Sequence, residues 1–172
     1  MKILITGISG AGKTTTLAEL QKHGCLVIDL DATGLCRWKN IQTGEVAEYG
    51  LDGKDYKWLT EHGWYCDIEK FKLLLSCIRE DKLVFVSGVT ENFKEFLELF
   101  DKVFLLDTDN DILEKRLLER TNNHFARKED ERSFVFKHTR ELLNQIKNPI
   151  HINTNSSPDI VAQTILDNLE IH

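Results

Sequence analysis

The stretch that most limits what this chain can fold into is its first fourteen residues, Met1-Lys-Ile-Leu-Ile-Thr-Gly7-Ile-Ser9-Gly10-Ala11-Gly12-Lys13-Thr14. Residues 2–6 read as a short apolar strand, and Gly7 to Thr14 satisfy G-x-x-x-x-G-K-[ST] at every required position. An amphipathic helix is expected from about 13 to 23. Glycines remove the Cβ atoms that would hold the backbone away from an anion. Consecutive N–H groups then form a concave nest, and the following helix directs its positive end into it. Gly7, Ser9, Gly10, Ala11, Gly12 and Thr15 make the expected cradle, Lys13 reaches the β- and γ-phosphates, and the Thr14 hydroxyl is offered to Mg²⁺. A bare glycine-rich turn is the plain alternative; motif, position and flanking elements together argue against it. A nucleoside triphosphate, expected to be ATP with Mg²⁺, should bind here.

The chain has 172 residues, enough for one domain with a real core. A net charge of −6 argues against a general binder of nucleic acid or anionic membrane. No window approaches 18 uninterrupted apolar residues, so no transmembrane helix is expected. The N-terminus already reads as a strand rather than a signal peptide. Cys25, Cys36, Cys66 and Cys77 show no CxxC pairing and read as reduced thiols of a cytoplasmic protein.

Further strands are expected at 25–29, ending in Asp29, and at 83–86, 103–106 and 149–152. Helices are expected at 67–80, 91–100, 109–121, from about 131 to 146, and after Ser157-Pro158, with Ser as N-cap and Pro in the first turn. Strands alternating with helices imply an α/β fold, a parallel sheet covered on both faces. Ligands then sit outside the carboxyl ends of the strands. That edge collects the loop at 7–14, Asp29 and Asp31, Ser87 and Gly88, Asp107, and residues 153–157.

Two inserts interrupt the alternation. The first, about 33–66, is long and without clear periodicity, which suggests a functional loop. Trp38, Trp58 and Trp64 and Tyr49, Tyr56 and Tyr65 are all the Trp and Tyr of the chain, while all nine Phe lie outside. Phe suits a core; Trp and Tyr carry a polar handle and suit a half-wet pocket. A satellite core and an acceptor pocket are both open readings. The second insert is basic, with Lys115, Arg116, Arg120, Arg127, Lys128, Arg132, Lys137 and Arg140 gathered within 115–140. Its polar stretch, about 121–131, is either part of a solvated helical hairpin or a closing lid whose guanidiniums neutralise a transferring phosphate.

Gly7 to Thr14, the strand ending Val27-Ile-Asp29-Leu-Asp31, and Arg116-Leu-Leu-Glu-Arg120 before a polar stretch together resemble the P-loop small-molecule kinases, both adenylate-kinase-like and shikimate-kinase-like. The resemblance implies a three-layer αβα P-loop NTPase fold, with a five-stranded parallel sheet of order 2-3-1-4-5 and helices on both faces. It also implies a lid over the phosphates. Asp29-x-Asp31 is similar to the shikimate-kinase Asp-x-Asp, which implies that Asp29 supports Mg²⁺ and Asp31 holds the acceptor hydroxyl. Arg120-Thr-Asn-Asn-His-Phe-Ala-Arg127-Lys128 looks like a lid of the pattern R-T-N-N-x-[FY]-G-K, with Ala126 in the glycine position. Ser87-Gly88-Val89 departs from what either subgroup places after its third strand, and residues 33–66 lack the adenylate-kinase nucleotide-monophosphate motif.

On this reading Lys13, Asp31, Arg120 and Arg127 are catalytic, Arg116 joins the phosphate loop in holding the nucleotide, and Thr14 and Asp29 serve the metal. The acceptor is a small molecule, with no nucleic acid or membrane partner and a monomer or homodimer expected. A nucleotide-dependent switch or NTPase with water as acceptor is the alternative, and a kinase of nucleic-acid ends is less favoured because the first insert is acidic and aromatic. Asp29 or Asp31 could instead cap a helix, and Asp107 reads as a cap or turn residue rather than a metal support. Asn92 reads as a surface helix residue, and His62, His124 and His138 as surface residues without metal-ligand spacing.

Overall fold

The computed structural model describes residues 1–50, 54–119, 125–126 and 128–169. Its main sheet is built on β1 (Lys2–Gly7), whose residues after the first are all buried. Burial on successive residues means that both faces of the strand are covered, the pattern of a central parallel strand. Beside it run β2 (Leu26–Asp29), β6 (Val84–Ser87), β7 (Lys102–Asp107) and β8 (Ile150–Asn153), all parallel, in the order β2-β6-β1-β7-β8. Counting only these five strands along the chain, that is the expected 2-3-1-4-5. The register aligns Asp29 with Ser87, Gly7 with Leu106, and Asp107 with Asn153, so the carboxyl ends share one edge.

Helices α1 (Lys13–Lys22) and α6 (Pro158–Asp167) pack on one another, with Leu17, Leu20, Val161 and Ile165 in the core. Burying each such side chain contributes about 1.5–3 kcal/mol relative to exposure. Ser157 holds the N-cap position of α6, but its side chain makes no cap bond; it pairs with Asp159, whose pKa that bond holds below the usual carboxylate range. Helix α3 (Ile68–Ser76) starts where Asp67 Oδ1 accepts from Lys70 N, and it brings Phe71 against Phe96 and Phe100.

The expected helix at 91–100 is instead two 3₁₀ turns, Phe93–Glu95 and Leu97–Leu99. Phe93, Phe96 and Leu99 recur every third residue, the repeat of a 3₁₀ turn, and the chain must return quickly to pair Asp101 N with Lys2 O. Asn92 is not a surface helix residue: its side-chain amide accepts from Cys66 N at 3.1 Å and donates to Cys66 O at 3.0 Å.

The first insert is not an irregular loop. It folds into an antiparallel sheet, β4 (Val46–Ala47), β3 (Cys36–Asn40) and β5 (His62–Cys66), with the short helix α2 (Tyr56–Glu61) leading into β5. Asn40 Oδ1 accepts from Gln42 N and Thr43 N, closing the turn between β3 and β4, and Asp55 Oδ1 caps α2 at Trp58 N. Cys36 and Cys66 face each other across β3 and β5, both buried and free, and the hydrogen bond between them, then burial, pushes the Cys36 thiol up.

The second insert lies between α4 (Asn110–Glu119) and α5 (Glu129–Leu143), which Arg132 Nη2 and Glu114 Oε1 join at 2.6 Å. Arg120, His124 and Arg127 lie outside the described residues. Ala126, in the position where the resembled lid pattern has glycine, is buried with φ 63°, a left-handed conformation that glycine adopts more readily. Among the described residues no helix is long and apolar enough to cross a membrane.

Candidate active site

The shared edge of the sheet opens into a cleft of about 1000 Å³, walled on one side by the phosphate loop and on the other by the first insert and α5. Gly12 has φ 99°, the left-handed turn that lets successive N–H groups converge at the start of α1. Lys13 Nζ bridges the loop itself, donating to Gly7 O at 2.7 Å and Ile8 O at 3.1 Å. Arg116, from α4, donates through Nη2 to Thr154 O at 2.7 Å, and its Nη1 lies 3.5 Å from Gly10 O. It thereby ties the phosphate loop to the segment after β8. Ser9, Gly10, Ala11, Gly12, Lys13, Thr14, Thr15, Asp29, Asp31 and Arg116 all line the cleft. Gly7 lies one step behind the lining, at the strand end.

Asp29 serves two partners at once. Its Oδ2 accepts from Thr14 Oγ1 at 2.9 Å, and its Oδ1 faces Asp31 N at 3.3 Å, capping the 3₁₀ turn Leu30–Ala32. The cap and the site therefore coexist in one carboxylate. Thr14 and Asp29 present hard oxygen donors side by side, which suits Mg²⁺. Among the described residues no three His, Cys, Asp or Glu side chains cluster as a metal cage. Mg²⁺ needs none, since it typically keeps waters and substrate phosphates around one or two protein oxygens.

Asp31 sits between the halves. Trp64 Nε1 donates to its Oδ1 at 2.8 Å. The residue is exposed at the mouth of the cleft, and its carboxylate lies against Trp64 and the Asp29 turn. Desolvation there raises its pKa above the usual Asp value, against the lowering effects of Lys13 and the Trp64 bond.

The wall built by the first insert and α5 is both a satellite core and a pocket surface. Trp38 packs against Tyr49, Trp58, Trp64 and Phe125 with ring centroids 5.2–5.9 Å apart, over buried Leu59, Leu117, Ala126 and Val135. Phe125 and Phe134 thus join the Trp/Tyr cluster, against the expectation that Phe keeps to the main core. Two residues missed by reading the sequence close the far side. Glu91 Oε1 pairs with His138 Nε2 at 2.7 Å, and that bond raises the His138 pKa against the lowering effect of burial. His138 is therefore a cleft residue, not a surface one; His62 is also half-buried, stacked on Trp58 at 4.1 Å. Glu91 could have been found, because it follows the third parallel strand by four residues; His138 carried no local signal. Asp107 points away from the cleft, to His151 Nδ1 at 2.6 Å. Ser87 is buried at its strand end, outside the lining.

Gly63 makes the Glu91 position possible. A Cβ there would lie 2.5 Å from Glu91 Cγ and 2.8 Å from Tyr65 Cε2. Gly63→Ala is expected to destabilise the fold by about 1–3 kcal/mol, measured by urea denaturation. An unchanged midpoint would mean that Glu91 swings aside freely.

A family described as an AAA domain matches residues 3–137. No curated protein matches the chain. Among solved structures, the shikimate kinase of Bacteroides thetaiotaomicron is similar over 99% of this chain and 99% of that chain, at 21% identity and TM-score 0.61. The shikimate kinase of Acinetobacter baumannii, in complex with shikimate, matches over 98% and 92% at 20% identity and TM-score 0.60. A gluconokinase of Sinorhizobium meliloti 1021 matches over 98% and 91% at 15% identity and TM-score 0.54. At these identities the likeness is one of fold, and it agrees with the resemblance read from the motifs. The chain belongs to the AAA domain family, with the fold of the P-loop small-molecule kinases.

Proposed function

We propose that the protein is an ATP-dependent phosphotransferase that moves the γ-phosphoryl group to a small-molecule acceptor. One observation carries the reading: a single cleft joins a phosphate loop to an aromatic and acidic wall, with Asp29 and Asp31 at the seam. A protein that only bound or hydrolysed nucleotide would have no use for a second wall of this size and chemistry.

Phosphoryl transfer needs alignment and charge neutralisation more than covalent chemistry. Lys13 exchanges its bonds to Gly7 O and Ile8 O for phosphate oxygens, and Arg116 holds the nucleotide side of the loop. Thr14 and Asp29 would hold Mg²⁺, which spreads the charge of the β- and γ-phosphates when bound. Asp31 accepts the proton of the acceptor hydroxyl, and its raised pKa makes it a better base than an ordinary aspartate. The insert at about 33–66 holds the acceptor, and the stretch at about 121–131, with Arg120 and Arg127, closes over the phosphates. Four free cysteines suit a reducing cytoplasm.

A panel of alcohols, nucleosides and nucleotides, assayed for ADP release with and without Mg²⁺, tests the reading. One acceptor class should raise ADP release well above background, in a Mg²⁺-dependent way. A slow hydrolysis rate indifferent to every acceptor would turn the assignment to an NTPase or switch, and labelling of oligonucleotide ends would turn it to a nucleic-acid kinase.

A further inference from the structure

We infer that the acceptor is an acid-free ring compound whose end remote from the reacting hydroxyl offers hydrogen-bond donors, hydroxyl or amine, to Glu91, which makes Glu91 a specificity-determining residue. The inference rests on the kinase reading and narrows it.

Glu91 is held from three sides. Its backbone N donates to Trp64 O at 2.8 Å, its Oε1 meets His138 Nε2, and its stem lies over Gly63, where no Cβ fits. A carboxylate held this firmly in a cleft wall is preorganised, and as an ion it can only accept hydrogen bonds. Asp31 is fixed to the other end of the same residue, through Trp64 Nε1. Asp31 is bonded to the Trp64 side chain and Glu91 to its backbone, and both residues line the one cleft. A ring lying along the aromatic wall would have one end at Asp31, near Lys13, and the other at Glu91.

A hydroxyl or amine can donate to the Glu91 carboxylate. A carboxylate or phosphate at the same end would meet Glu91 as a like charge, with no hydrogen to give. Trp38 and Trp64 line the cleft, and an aromatic wall suits a ring rather than an open chain.

Matched ring series test this: glucose, 2-amino-2-deoxyglucose and glucuronate, with cyclitol and nucleoside sets in the same three forms. ADP release and quenching of intrinsic tryptophan fluorescence are read side by side. For the series that reacts, kcat/KM for the hydroxyl or amino member should exceed that of the acid at least tenfold, and the better of the two names the donor. Glu91→Gln should narrow that ratio at least tenfold, mainly through KM. Preference for acids, or a ratio unmoved in folded Glu91→Gln, would overturn the inference and leave the kinase reading standing. Binding of donor-bearing members without any ADP release would overturn the kinase reading, and with it the assignment of these compounds as acceptors. Absence of both signals across all series would overturn the inference.

Discussion

Lys13→Ala should lower acceptor-dependent ADP release by about 10²–10³-fold or more at saturating ATP, with the fold intact. The magnitude follows from removing one preorganised positive donor aimed at charge that develops in the transition state. Lys13 is well placed for this. It leads α1 directly from the Gly12 turn, and its Nζ already lies over the loop at Gly7 O and Ile8 O. Those carbonyls lie behind the cleft lining and are partly buried, so losing their donor should cost about 1–3 kcal/mol, which leaves the fold in place. Circular dichroism and a urea midpoint check the fold, and ADP release checks the chemistry. Turnover near the wild-type rate in the folded variant would remove the phosphate loop from the active site. Arginine at the same position should not rescue, because a planar fork cannot follow the path of a compact ammonium.

How much of this was legible in the sequence depends on how local each feature is. Gly7 to Thr14 is contiguous, so its geometry is written in eight neighbouring residues. Asp29 and Asp31 were legible because a strand that ends in acid must place that acid at the ligand edge of a parallel sheet. The sheet order followed from the resemblance. Contacts between distant residues were not legible. Trp64 to Asp31 spans 33 residues, Arg116 to Thr154 spans 38, and His138 to Glu91 spans 47. No periodicity encodes such pairs, which arise only when the insert and α5 are laid against the sheet edge. The insert itself was misread because β4 has two residues and β3 and β5 five each, too short for alternation to rise above its neighbours. The turns at 93–99 were misread because Phe93, Phe96, Leu97 and Phe100 also fall at i, i+3, i+4 and i+7, the spacing of an amphipathic α-helix.

Asp31→Asn separates chemistry from architecture more sharply than any other substitution in the cleft. Transfer should fall by about 10²–10⁴-fold, the range for losing a general base, while ATP binding changes little. Asparagine keeps an oxygen for Trp64 Nε1 and keeps the backbone bond to Asp29, so the seam retains its shape. The pH behaviour gives a second, independent readout. Desolvation raises the folded-state pKa of Asp31 above its unfolded value. In the window just above the usual Asp range the folded state therefore binds more protons, so stability falls as pH rises through it. Asp31 is exposed to solvent, so at neutral pH the ionised carboxylate costs the fold little, and Asp31→Asn should unfold close to the wild-type temperature. In the wild type the acid limb of the activity profile should sit above the ordinary Asp range, and the residual activity of Asp31→Asn should lose that limb. Equal losses of ATP binding and transfer, with a lower melting temperature, would make Asp31 a structural residue that braces Trp64 rather than the base.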